Sequence, residues 1–113
     1  MTSQLTTTRW ANKCSSEGDV KTAVKEVLKT LPTCWYFMPP ANGYGRSGIP
    51  DFVGCVNGRF FAIETKFGKG KTTVHQDREL AGIVACKGDV WVVYEHNLLQ
   101  WEVQFRGWVA LCS

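Results

Sequence analysis

Apolar residues recur at Val20, Ala23, Val24, Val27, Leu28 and Leu31. This three-and-four spacing lays one stripe along one side of an α-helix. It predicts a helix over 17–31, with Ser16 as N-cap and Pro32 as stop signal. Glu17 lies one turn before Val20 and joins the edge of the stripe. Asp19 and Glu26 project roughly 100° or more away from the stripe centre. Glu17 is therefore the one acidic residue of this helix expected to face the body of the protein.

The pattern then changes period. Residues 33–38, TCWYFM, read as a short strand, and 39–48, PPANGYGRSG, as a Gly- and Pro-rich loop. DFVGCV and RFFAIETK are two β-rich runs separated by Asn57-Gly58, a strong short-range hairpin signal. FGKGK (67–71) reads as a mobile loop. A second helix is expected over 74–87, with Thr73 and Gln76 forming a capping box and Gly88 ending it. DVWVVYE (89–95) reads as a buried central strand. WEVQF alternates strictly from Trp101 to Phe105, which predicts a further strand. The order is α-β-β-β-α-β with a C-terminal β-rich segment: an α/β fold with a mixed sheet flanked by helices. One domain is expected over 1–113, with a polar arm at 1–15 and an extension at 96–113.

The hairpin gives three charged residues a geometry. A two-residue turn makes Val56 face Arg59, and the same register sets Asp51 opposite Glu64. Directly opposed residues hold their Cβ atoms about 4.5–5.5 Å apart on one face. Lys66, two residues beyond Glu64, points to that face as well. Facing carboxylates repel unless one keeps a proton or a cation bridges them. Mg²⁺ suits the second case, since it takes one or two carboxylates plus waters and phosphate oxygens. The D-x₁₂-E-x-K spacing is by itself compatible with ordinary cross-strand ion pairs. Its setting argues for chemistry: Asp51 follows a Gly-rich loop, and Glu64 and Lys66 close an otherwise apolar strand.

Composition narrows the classes without choosing one. The chain has 113 residues, 44% hydrophobic residues and five Trp, so a packed core is expected. The net charge is +3, compatible with an anionic partner. The five cysteines lack paired C-x₂₋₄-C spacing, which speaks for reduced thiols rather than structural zinc. The N-terminus lacks the apolar run of a signal peptide, and no run reaches the ~20 apolar residues of a membrane span. A soluble, cytoplasmic protein is expected. Gly70-Lys71-Thr72 suggests a P-loop, but the first Gly of that pattern falls on Thr65, so no nucleotide cofactor is expected.

The stretch RSGIPDFVGCVNGRFFAIETKFGKGKTTVHQDREL (46–80) closely resembles the VRR-NUC domain of the PD-(D/E)XK nuclease superfamily, in its small stand-alone phage and bacterial form. Asp51 matches the family's Asp after Pro, Glu64 its second acidic residue, and Lys66 its Lys after E-x. Gln76 matches a Gln on the following helix, and Glu17 the acidic residue of the first. The resemblance covers about 17–94 and is most specific from Gly48 to Gln76. The tail from His96 departs from it, because relatives commonly close with a helix.

The resemblance implies a restriction-endonuclease-like core and a metal-dependent endonuclease acting on branched DNA such as Holliday junctions. Asp51 and Glu64, the Thr65 main-chain carbonyl and Glu17 are the implied ligands of Mg²⁺ or Mn²⁺. Lys66 is implied to position and activate the attacking water. Tyr44, Arg46 and Ser47, and Lys69 and Lys71, are candidate phosphate contacts; each group also reads as a solvated loop. Gln76 has a capping role available beside a catalytic one. A homodimer is implied, and Trp101, Phe105 and Trp108 are the residues expected to form its face, or else to pack a core. A non-catalytic DNA-binding module on the same fold is the competing reading.

Overall fold

The computed structural model of the chain describes residues 5–40 and 45–112. Helix α1 (Glu17–Lys29) buries Val20, Ala23, Val24, Val27 and Leu28, the expected stripe. The Ser16 side chain accepts a hydrogen bond from the Asp19 amide at 3.2 Å, so the cap is where the sequence puts it. The helix stops short of Leu31, because a residue preceding proline is disfavoured in the α conformation.

Strands β1 (Cys34–Phe37), β2 (Phe52–Val56), β3 (Arg59–Thr65) and β4 (Asp89–Val93) form one mixed sheet in the order β1-β2-β3-β4. The first three run antiparallel. Helix α2 (Val74–Ala85) crosses over to bring β4 in parallel to β3, and β4 is the outer strand of the described sheet and mostly half-buried, not the buried central strand expected. Asn57 and Gly58 both have positive φ, 49° and 83°, as a type I′ turn requires. The register follows directly: Val56 pairs with Arg59, and the ladder runs back to Phe52 against Ile63.

The C-terminal segment is a helix, not a strand: α3 spans Leu98–Leu111. Leu98, Trp101 and Phe105 are buried, and Trp108 packs on the same core. Their three-and-four spacing is helical. The apparent alternation depended on Val103, which is 57% exposed. The same finding corrects the expected dimer face. Phe105 meets Phe61 at a centroid distance of 5.2 Å and Trp91 at 5.0 Å, so this aromatic surface is spent inside the fold. T-shaped and tilted stacking of this kind adds to simple area burial.

The core lies between one face of the sheet, carrying Phe52, Val56, Phe61 and Ile63, and helices α1 and α3. The N-terminal arm docks there too. It forms a 3-10 turn over Thr6–Trp10, and Thr7 is buried. Glu102 of α3, itself fully buried, accepts hydrogen bonds from the Thr7 amide and hydroxyl (both 2.7 Å) and the Thr6 amide (2.9 Å). Arg106 Nε donates to the same carboxylate at 2.7 Å. Helix α2 covers the opposite face lightly, with Leu80 as its buried residue. Among the described residues no helix is long and apolar enough to cross a membrane.

Candidate active site

Alternation along β3 sorts its residues by face. Phe61 and Ile63 enter the core, while Ala62, Glu64 and, just beyond the strand, Lys66 fall on the α2 side. Asp51 directly precedes Phe52, so the ladder brings it beside Glu64. It lies in a bend rather than in the strand, and its carboxylate turns around the strand end toward Thr65. Asp51 Oδ2 accepts from the Thr65 amide at 2.8 Å and the Thr65 hydroxyl at 2.6 Å. Two opposed carboxylates repel, and Thr65 offers one of them a pair of donors. These two bonds use the Thr65 amide and hydroxyl; the carbonyl expected as a metal ligand takes no part in them.

Glu64 is 2% exposed. Its Oε2 accepts from Gln76 Nε2 at 2.7 Å and lies 3.6 Å from Lys66 Nζ. Among the described residues, Oε1 has no hydrogen-bond partner. Burial, followed by the nearby Asp51 charge, pushes the Glu64 carboxyl up to about 7, with Lys66 partly opposing them. Gln76 performs two tasks at once. It closes the capping box of α2, with Oε1 accepting from the Thr73 amide at 2.9 Å, and it fixes Glu64 through Nε2.

Helix α1 brings Glu17 to the same place. Lys21 Nζ stands 3.5 Å from Glu17 Oε2 and 3.6 Å from Asp51 Oδ1. Asp19 and Glu26 are spent elsewhere, as their angular positions predict. Asp19 accepts from the Ser15 amide and hydroxyl, and Glu26 from Trp10 and Arg9. Lys21 is a member of the cluster that the sequence reading missed. Its position four residues after Glu17, on the same helix edge, was the available signal.

The structure thus gathers Glu17, Asp51, Glu64, Lys66 and Gln76. Among the described residues no three His, Cys, Asp or Glu side chains converge into a complete metal cage. A Mg²⁺ or Mn²⁺ ion needs less, one or two carboxylates with water and substrate filling the remainder. The buried Glu64 oxygen, without a hydrogen-bond partner among the described residues and beside a second carboxylate, fits that requirement, because Lys66 and the Asp51 main chain offset its burial only in part.

The loops that frame the cluster are fastened rather than free. Gly70 and Gly68, flanking Lys69, are held by Tyr94 Oη donating to the Gly70 carbonyl at 2.9 Å and by Glu95 accepting from the Gly68 amide at 2.9 Å. The segment 67–71 is the loop expected there, with these two contacts tying it to Tyr94 and Glu95. Lys69 and Lys71 are exposed on it. Ser47 is exposed, Arg46 pairs with Glu79 of α2 at 2.9 Å, and Tyr44 lies outside the described residues. Arg46 and Glu79 rim a cleft of about 450 Å³ floored by Phe60, Ile83 and Gly88. None of the clustered carboxylates lines that cleft.

Gly48 locks the loop to α2. Its φ is +87°, and a Cβ there would sit 2.4 Å from the His75 carbonyl carbon and 2.8 Å from the Gln76 amide. Gly48→Ala is expected to cost at least about 2 kcal/mol in urea denaturation, from the left-handed backbone and the backbone collision together. Gly58→Ala, also at positive φ but with open space around it, should cost only about 1–2 kcal/mol. Equal losses would show that the contact with α2 contributes nothing.

No protein-family model matches the chain, and no curated protein matches it in sequence.

Proposed function

We propose that this chain is a divalent-metal-dependent phosphodiesterase. More particularly, it is an endonuclease of the VRR-NUC type that hydrolyses branched DNA such as a Holliday junction. The observation that carries the reading is Glu64: a buried carboxylate, one oxygen without a hydrogen-bond partner among the described residues, set beside Asp51 and within 3.6 Å of the Lys66 ammonium. A carboxylate kept in that environment raises the free energy of the metal-free fold, and metal-dependent phosphoryl chemistry supplies a reason for keeping it. The helical tail also removes the one departure from the family resemblance, since that departure rested on reading 96–113 as β.

Asp51 and Glu64 would hold Mg²⁺ or Mn²⁺, with Glu17 behind them. When bound, the ion supplies Lewis-acid polarisation of the phosphate and stabilises charge on it. The chain's own residues do the rest. Gln76 fixes the Glu64 carboxylate through one hydrogen bond. The Thr65 amide and hydroxyl fix Asp51. Lys66, 12% exposed on its side chain, orients the attacking water and offsets negative charge developing on the phosphate. Lys69, Lys71, Ser47 and Arg46 are offered as backbone-phosphate contacts; for Arg46 this requires exchanging Glu79 for a phosphate.

The test is cleavage of four-way, forked and nicked DNA with Mg²⁺ or Mn²⁺. Lys66→Ala and Asp51→Asn are each expected to slow cutting by at least about a hundredfold while leaving the fold intact. A parent protein that cuts none of these substrates with either metal sinks the reading. Tight binding of forked DNA without any cutting would instead establish the non-catalytic DNA-binding module. The proposal includes a homodimer placing two sites on opposed strands. With Trp101 and Phe105 committed to the core, its face must be sought elsewhere, for example among the exposed Trp35, Phe37 and Phe60. A monomer in sedimentation at micromolar concentration would remove it.

A further inference from the structure

The proposed chemistry asks Glu17 and Asp51 to support a divalent ion, yet both already face a cation of the chain's own. Lys21 Nζ stands 3.5 Å from one carboxylate and 3.6 Å from the other. Both distances exceed ordinary hydrogen-bond length, so charge rather than a directed bond keeps the ammonium between them. The Lys21 side chain is 36% exposed. Lys66, paired with Glu64 at 3.6 Å, is 12% exposed. One ammonium is thus partly open to solvent and the other largely buried. Glu64, buried in the same cluster, keeps one oxygen unpartnered among the described residues, so a full neutralising set is not made by the chain alone.

We propose that Lys21 is a placeholder cation: it offsets part of the charge of the Glu17–Asp51 pair while no divalent ion is bound, and its withdrawal is the step that sets the metal affinity of the site. The inference rests on the metal-dependent reading above. Three neighbouring carboxylates with only Lys66 to offset them would repel one another, and Lys21 relieves that repulsion without the geometry of a metal ligand. A divalent ion entering the same cluster meets the Lys21 charge as a like charge. Lys21 therefore stabilises the metal-free fold and opposes the metal.

The experiment is a titration of the full chain with Mn²⁺, without DNA, following free Mn²⁺ by electron paramagnetic resonance. Lys21→Met is expected to tighten Mn²⁺ binding about tenfold, the repulsion expected between an ammonium and a divalent ion roughly 6 Å apart in a water-like dielectric. Lys21→Arg keeps the charge and should stay within about twofold of the parent, as should Lys29→Met at the exposed far end of α1. In thermal melts with chelator, Lys21→Met should unfold below the parent, and saturating Mn²⁺ should close the gap. A merely structural ion pair would lower both melts equally and leave the Mn²⁺ affinity unmoved. Unchanged or weaker Mn²⁺ binding by Lys21→Met, with binding still abolished by Asp51→Asn, overturns the placeholder and leaves the metal site standing. No Mn²⁺ binding by the parent overturns both.

Discussion

Glu64→Gln is expected to make the metal-free protein more stable above pH 7 while abolishing cleavage. The Glu64 carboxyl titrates near 7 in the fold against an ordinary 4.5, first because it is buried and second because Asp51 is near. Between those two values the folded chain keeps a proton that the unfolded chain has lost. Stability therefore falls as pH rises through that window and levels off above it. The full penalty is about 3 kcal/mol, at about 1.36 kcal/mol per pH unit between 4.5 and about 7. Gln fills the same space, carries no charge and can still accept from Gln76. In chelator at pH 8 the variant should exceed the parent by about 1–3 kcal/mol in urea denaturation, and at pH 5 the two should nearly coincide. Mn²⁺ should then stabilise the parent and not the variant. A Glu64→Gln protein less stable than the parent at pH 8 would show that Glu64 is a structural residue.

Glu102 points the other way. It is as buried as Glu64, yet its carboxylate is fully engaged by Thr6, Thr7 and Arg106. Burial alone would push its carboxyl up, but hydrogen bonds from Thr7, Arg106 and Thr6 outweigh burial and hold it below 4.5. The stability it contributes is present above the unfolded value and is lost as pH falls through the folded one. Glu102→Ala removes the carboxylate acceptor, strands two amides and a hydroxyl, and leaves Arg106 with the Thr6 and Thr30 hydroxyls but no ion-pair partner among the described residues. A loss of about 3–5 kcal/mol is expected in thermal or urea denaturation, a large share of the 5–15 kcal/mol typical of a domain. Glu102→Gln, which keeps the shape but not the charge, should lose about 1–3 kcal/mol. A loss under about 1 kcal/mol for Glu102→Ala would mean the arm is not held by this carboxylate.

The contrast between the two glutamates also marks what the sequence makes legible. The α1 stripe, its Ser16 cap, the Asn57-Gly58 turn, the β2–β3 register and the Thr73–Gln76 box are local, and each follows from residues within a few positions. The register in turn places Asp51 beside Glu64. What escaped was non-local or ambiguous in period. Trp101, Val103 and Phe105 satisfy a two-residue alternation, while Leu98, Trp101, Phe105 and Trp108 satisfy the helical one; only burial against Phe61 and Trp91 decides between them. The turn of Asp51 toward Thr65 is held by hydrogen bonds from the Thr65 amide and hydroxyl, which a register cannot show. Glu102 reads as a surface charge until Thr7, 95 residues earlier, is seen to lie against it.

That last separation has a kinetic side. Closing a loop of this length carries an entropic cost that is repaid only when both ends have been ordered. Contacts so distant in sequence form late in folding. On a ribosome, the 3-10 turn at Thr6–Trp10 must wait for Glu102, and the core face of α1 must wait for Trp101 and Phe105 of α3. Glu17, on α1, precedes every other member of its cluster and can join it only once the chain through Gln76 has been synthesised, while the α3 side of its helix is covered later still. A nascent chain halted before α3 should carry its acidic and lysine residues in a segment still open to proteases.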